Sequence, residues 1–92
     1  MSRKVGVEFR DRIWVVEFTV GDGVGFDAIE VINVEEFFAD SPGYNSGGTR
    51  VKISHARYNE LLGTPEFHFA VLYAVADFDG QDFDPQTFKR RN

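Results

Sequence analysis

The sequence contains no cysteine, only two histidines and no long apolar run. The absence of cysteine excludes a disulfide framework, a thiol nucleophile and a zinc site built on thiolates. His55 and His68 do not have the spacing of a metal-binding pair, so we predict no metal site and no cofactor. Glu8 and Arg10 interrupt the apolar residues near the start, which argues against a signal peptide, and no stretch reaches the ~18–20 apolar residues of a membrane span. We therefore expect a cytoplasmic protein with no membrane contact.

Positive charge is missing from two long parts of the chain. Seven acids and no Lys or Arg lie between Ile13 and Thr49, and six acids and no Lys or Arg lie between Tyr58 and Phe88. All ten basic residues fall in three short clusters, Arg3–Arg12, Arg50–Arg57 and Lys89–Arg91. The net charge of −5 disfavours direct binding to nucleic acid, although the sequence leaves open whether the basic clusters converge into one patch.

Length and composition predict one compact domain over residues 1–92. The chain has 92 residues, 42% of them hydrophobic, and its ten phenylalanines can form a dense core. The basic residues at 89–92 are predicted to form a flexible tail.

The N-terminal half has the period-two pattern of antiparallel strands. Val5, Val7 and Phe9 alternate with other residues, and the segment Ile13 to Val20 places Trp14 on a uniformly apolar face. A third strand is predicted from Phe26 to about Ile32, and Trp14 is expected in the core. The glycine-rich segment before that strand lacks the spacing of a phosphate loop, so we interpret it as a hairpin turn.

Two helix starts follow from capping residues. Asn33, with Glu36 three residues later, has the form of a capping box and predicts a short helix. Ser54 is the predicted N-cap of a second helix that ends at Leu62, before Gly63. Between these two helices, residues 50–53 form a predicted short strand.

The segment 65–78 fits two structures. Thr64, Pro65 and Glu66 form a strong helix start. The same residues also alternate as a strand, and a helix here has no polar face between Phe69 and Ala76. We favour the helix. The fold class is therefore α+β: a small antiparallel sheet of three to four strands from the N-terminal half, packed with two or three short helices.

The run Asp77 to Asp84, named here the acidic run, is the most concentrated negative charge in the chain. Its alternating carboxylates partly match a calcium loop, but the glycine comes early and the closing glutamate is missing. It can also be a solvated loop whose Phe78 and Phe83 pack into the core. A third interpretation is a recognition surface, in which carboxylates imitate phosphates and aromatic side chains anchor a partner.

In overall style the chain resembles small phage-encoded inhibitors of the anti-CRISPR and anti-restriction kind. The resemblance consists of about ninety residues, no cysteine, the acidic run and no catalytic signature. It implies a non-enzymatic protein that blocks a basic, nucleic-acid-handling protein or nucleoprotein complex by steric hindrance or phosphate mimicry. The residues that we predict to bind the partner are Asp77, Asp79, Asp82, Phe83 and Asp84, and we predict no catalytic residue. The alternatives are a carboxylate-based calcium-binding or catalytic domain and a homo-oligomeric housekeeping protein.

Overall fold

A computed structural model describes residues 2–39 and 48–84. Along the chain the elements are β1 (Arg3–Phe9), β2 (Arg12–Val20), a 3-10 helix (Gly25–Ala28), β3 (Ile29–Ala39), β4 (Gly48–Lys52), α1 (His55–Leu62) and α2 (Pro65–Ala76). The predicted α+β class is confirmed, since a four-stranded antiparallel sheet packs with two α-helices. The predicted basic tail at 89–92 lies outside the described residues.

The sheet is a meander in which each strand pairs with its neighbour in sequence, in the order β1-β2-β3-β4. Arg10 and Asp11 connect β1 to β2 with positive φ angles of 53° and 60°. Two consecutive left-handed residues form the type of turn whose twist matches a β-hairpin. Among the described residues, no further strand pairs with the outer edges of β1 and β4.

The main core lies between one face of the sheet and the two helices. Trp14 is fully buried on this face, as the sequence predicted, and its indole nitrogen donates to the Phe9 carbonyl at 3.2 Å. Phe67 of α2 is also fully buried, and its ring meets the rings of Phe9 and Trp14 edge to face, with centroids 5.3 and 6.5 Å apart. Aromatic contacts of this geometry add stability beyond the buried area, so they hold α2 on the sheet.

The other face of the sheet has a smaller apolar cluster. Ile13, Val15 and Phe37 are buried there, and Phe83 from the segment after α2 packs against them. The edge-to-face contact of Phe37 and Phe83 has a centroid distance of 5.0 Å. The two faces are therefore covered differently, one by helices and one in part by the C-terminal end of the described chain.

The helix predicted from Asn33 is wrong, because β3 is one strand from Ile29 to Ala39. In this strand Val34 lies opposite Val16 and Phe37 lies opposite Ile13, and both β3 side chains are buried. Burial of these side chains outweighs the local preference of Asn33 and Glu36 for a helix start, since propensity is a weak prior. The predicted strand start at Phe26 is also wrong, because that residue lies in the 3-10 helix.

Both C-terminal helices follow the capping signals. The Ser54 side chain accepts a hydrogen bond from the Arg57 amide at 3.1 Å, and α1 ends before Gly63. The ambiguous segment is helical from Pro65 to Ala76, so the favoured interpretation is confirmed. Thr64 precedes α2 as expected, but its hydroxyl donates to the Glu60 carbonyl at 2.7 Å and thereby ties the two helices together.

The packing of α2 predicts effects of very different size for two phenylalanines on the same helix. Replacing the fully buried Phe67 with alanine should lower the free energy of unfolding by about 3–5 kcal/mol. Phe69 is 61% exposed, so its replacement with alanine should change the free energy of unfolding by about 0.5 kcal/mol or less. Urea denaturation of both variants measures the difference, and equal losses would contradict this orientation of the helix.

Candidate partner-binding surface

The acidic run leaves the end of α2 and returns along the outer edge of β1. Asp77 follows the last residue of α2, and Gly80 allows the chain to turn with a φ angle of 92°. The Phe83 amide then donates a hydrogen bond to the Lys4 carbonyl at 2.9 Å. The run is therefore held beside the first strand.

Asp82 holds the acidic run against β1 through hydrogen bonds. Its carboxylate accepts a hydrogen bond from the Arg3 guanidinium at 2.8 Å and another from the Lys4 amide at 3.3 Å. Arg3 also donates to the Gly80 carbonyl. The Arg3 side chain and, after it, the Lys4 amide lower the pKa of Asp82 below its ordinary value of 3.8. Asp82 thus has a structural role that its sequence neighbours do not indicate.

The other acids of the run are arranged differently. The Asp79 side chain accepts a hydrogen bond from the Gln81 amide at 2.9 Å, which stabilises the turn. Asp77 and Asp84 are exposed at the two ends of the run. Two of the predicted partner-binding acids, Asp77 and Asp79, therefore present carboxylates to solvent next to the end of α2, whereas Asp82 is committed to Arg3.

Phe83, the predicted aromatic anchor, lies on the sheet. Its ring covers Gly6, where a Cβ atom would come within 2.9 Å of the ring. The absence of a side chain at Gly6 is what allows the ring to reach Phe37 on the face opposite the helices. Phe83 is half-buried in this position, so its main contacts are within the protein.

Two exposed aromatic residues stand on the outer face of α2. Phe69 is 61% exposed and Tyr73 is 71% exposed. They are four residues apart, and Glu66 and Asp77 continue the same line at helical spacing, so the four side chains share one face. We name this line the α2 stripe; it consists of Glu66, Phe69, Tyr73 and Asp77. In the sequence, the stripe is indicated by the absence of a polar helix face between Phe69 and Ala76.

Pairing between strands explains much of the charge sorting in the sequence. Lys4 of β1 lies opposite Glu17 of β2, and Lys52 of β4 lies opposite Glu35 of β3. Each outer strand thus places one lysine opposite a glutamate of an inner strand, and cross-strand pairs of opposite charge stabilise a sheet.

Ion pairs within the described part of the chain also bring basic side chains to acids of β3. Arg12 contacts Glu36 at 2.8 Å, and Arg50 contacts Glu35 at 3.7 Å. Because these acids have basic neighbours, they contribute less to the external field than the sequence suggested. Glu66 and Asp77 of the α2 stripe and Asp79 of the acidic run are exposed.

The two histidines have separate surroundings. His68 donates from Nε2 to the Leu62 carbonyl, and its ring stacks on Phe26 with centroids 4.1 Å apart. These contacts join α2 to α1 and to the 3-10 helix. His55 lines an open cavity of about 410 Å³ together with Lys52 and Tyr58. Within residues 2–39 and 48–84, no three His, Asp or Glu side chains are grouped so that they could hold a metal ion.

A comparison of the chain with protein-family models, curated proteins and solved structures found no match. None of the helices in the described part of the chain is both long and apolar enough to cross a membrane.

The Asp82 contacts predict an acid-sensitive contribution to stability. A folded-state pKa below the ordinary 3.8 means that the contribution is complete above that pH and is lost as the pH falls from 3.8 through the lowered value. Asp82→Asn should therefore lower the melting temperature slightly at pH 7, and the difference from wild type should vanish at strongly acidic pH. Melting curves recorded from pH 7 to pH 2 measure it.

The Arg3→Gln background is the control for this experiment. If Arg3 causes the effect, Asp82→Asn should change the melting temperature less in that background than in wild type. The same pH-dependent difference in both backgrounds would contradict the assignment.

Proposed function

We propose that the protein is a non-enzymatic binding module whose α2 stripe and acidic run contact a basic, nucleic-acid-handling protein or nucleoprotein complex. The single observation that carries the proposal is the exposure of Phe69 and Tyr73, at 61% and 71%, between acidic residues on one helix face. Monomeric domains seldom leave two large neighbouring aromatic rings in water, and such patches mark interaction sites.

The chemistry of the stripe suits a desolvated centre with a charged rim. Tyrosine and phenylalanine supply large buried area at small cost in conformational entropy, and tyrosine is enriched among binding hot spots. Glu66 and Asp77 flank the rings, and Asp79 extends the negative charge beyond the helix end. Carboxylates at a rim favour a partner with positive charge and accelerate its approach.

The overall charge points to the same class of partner. A net charge of −5 repels nucleic acid itself and attracts the basic surfaces that bind nucleic acid. Bound on such a surface, the protein occupies the space and neutralises the positive potential that the nucleic acid needs. We therefore propose that it acts as an inhibitor, by steric blockade or by phosphate mimicry, in the manner of the anti-CRISPR and anti-restriction proteins.

The calcium and catalytic alternatives have less support. Asp82 is paired with Arg3 and Asp79 is bonded to the Gln81 amide, so the carboxylates of the run do not converge. Among the described residues no metal-holding group of His, Asp or Glu is present. The remaining alternative is association with a second copy of the chain through Phe69 and Tyr73. The experiment described next distinguishes it from binding to a different protein.

The experiment is affinity capture from the native host at low and high salt, followed by binding measurements with the purified partner. Phe69→Ala and Tyr73→Ala should each weaken binding by about tenfold or more, because hot-spot aromatics contribute about 2 kcal/mol. Asp77→Asn should instead slow association and reduce its salt dependence. The partner's affinity for its nucleic acid should fall when the wild-type protein is added.

Val24→Ala is the matched control, since Val24 is 88% exposed and lies in the connection between β2 and β3. It should bind as wild type does. The proposal is wrong if the stripe variants retain the same proteins as wild type, or if only a second copy of the chain is recovered.

A further inference from the structure

Within the part of the chain that the structure describes, the outer edge of β1 is open beyond Lys4, next to the α2 stripe. Strand β1 is at the end of the sheet, and Lys4 uses its outward N–H and C=O groups to bond Asp82 and Phe83. In an antiparallel strand the direction of these groups alternates from residue to residue, so those of Gly6 and Glu8 also point outward. No hydrogen bond from the described part of the chain reaches them.

A groove follows this edge. Its volume is about 690 Å³, within the range of ligand-binding clefts, and it is bounded by β1 on one side and by Ala70, Tyr73 and Ala74 of α2 on the other. Phe83 closes the side that faces away from the helices. The groove thus offers backbone hydrogen-bonding groups along its length and apolar walls on both sides of them.

One backbone hydrogen bond within the protein already joins another segment to this edge. The Phe83 amide donates to the Lys4 carbonyl at 2.9 Å, as a residue of an added strand does. The adjoining groups at Gly6 and Glu8 continue the same edge toward the β1–β2 turn. A second extended segment can therefore take up to four further backbone hydrogen bonds there.

Charge determines which segment fits. The carboxylates of Glu8, Asp77 and Asp79 line the groove, against the single positive charge of Lys4 among its described lining residues. The Arg3 charge next to the groove is already paired with Asp82 at 2.8 Å. The described lining of the groove is therefore net negative and complements a basic segment.

From the open edge, the groove and its charge, we propose that β1 binds an extended basic segment of a partner protein by strand addition at Gly6–Glu8. In this arrangement alternate side chains of the segment point toward the α2 wall with Tyr73, and the others point toward Phe83. The backbone bonds supply affinity and the alternating walls supply specificity. The inference rests on the proposed function and adds that the segment of the partner that binds is an extended strand.

The probe is a synthetic ten-residue peptide of alternating lysine and valine, with its backbone amides N-methylated either at every lysine or at every valine. In a strand, residues that share a side-chain face also share the direction of their amides. One methylated peptide should therefore bind about ten- to thirtyfold more weakly than the unmethylated peptide, and the other should bind within about threefold of it. Fluorescence anisotropy measures all three affinities.

Two substitutions at one position test the protein side of the contact. Glu8→Pro removes the outward amide, and proline is tolerated on an edge strand where that amide faces solvent. It should weaken binding of the unmethylated peptide by about tenfold or more. Glu8→Gln removes only the charge and should weaken it by about threefold or less. If Glu8→Pro does not fold, the methylation result on the wild-type protein decides.

Three outcomes overturn the inference. If both methylated peptides bind equally, strand addition is wrong, while the proposed function stands if Tyr73→Ala and Asp77→Asn still weaken the unmethylated peptide. If the unmethylated peptide does not bind, the groove does not take an extended basic segment, and the proposed function is judged by the capture experiment alone. If sedimentation finds a dimer that Glu8→Pro dissociates, the edge belongs to a second copy.

Discussion

The burial of Phe67 and Val71 against the sheet determines the direction of every other side chain on α2. Both residues are fully buried, and the Phe67 ring is fixed between Phe9 and Trp14. On a helix of 3.6 residues per turn, this orientation forces Phe69 and Tyr73 outward. The exposed aromatic pair is thus a geometric result of the core contact. Its exposure to solvent is the observation on which the proposed binding role rests.

The sheet applies a second constraint, which concerns charge. In a meander the first and last strands are each paired on one side, whereas the inner strands are paired on both. Basic residues of the outer strands lie opposite acids of the inner strands, so charge segregated along the chain becomes interleaved across the sheet. Asp77 and Asp79 are exposed near the end of α2, beside the outer edge of β1.

Local signals predicted those parts of the fold that depend on local contacts. Ser54 caps α1, Pro65 begins α2, and the alternating pattern around Trp14 gave both the strand and its buried face. The capping pattern at Asn33 failed because strand pairing along the whole of β3 buries Val34 and Phe37, and no local rule includes that gain.

The candidate site was harder to predict than the fold, for the same reason. The partner of Asp82 is Arg3, 79 residues away, and a sequence does not specify which distant arginine will meet a given acid. The position of the Phe83 ring depends on the absence of a side chain at Gly6, which is also far from Phe83 in the sequence. In contrast, the absence of a polar face on α2 was visible in the sequence, and it marked the residues that the structure leaves exposed.

The contact between the Phe83 amide and the Lys4 carbonyl also has a consequence for the order of folding. Sheet pairing in this protein joins neighbours in sequence, and these short loops close at small entropic cost. The acidic run instead returns to the first strand across nearly the whole chain. During synthesis the sheet can pair before that segment leaves the ribosome, so the outward backbone groups of Lys4 stay without Asp82 and Phe83 in the nascent chain until the last described residues emerge.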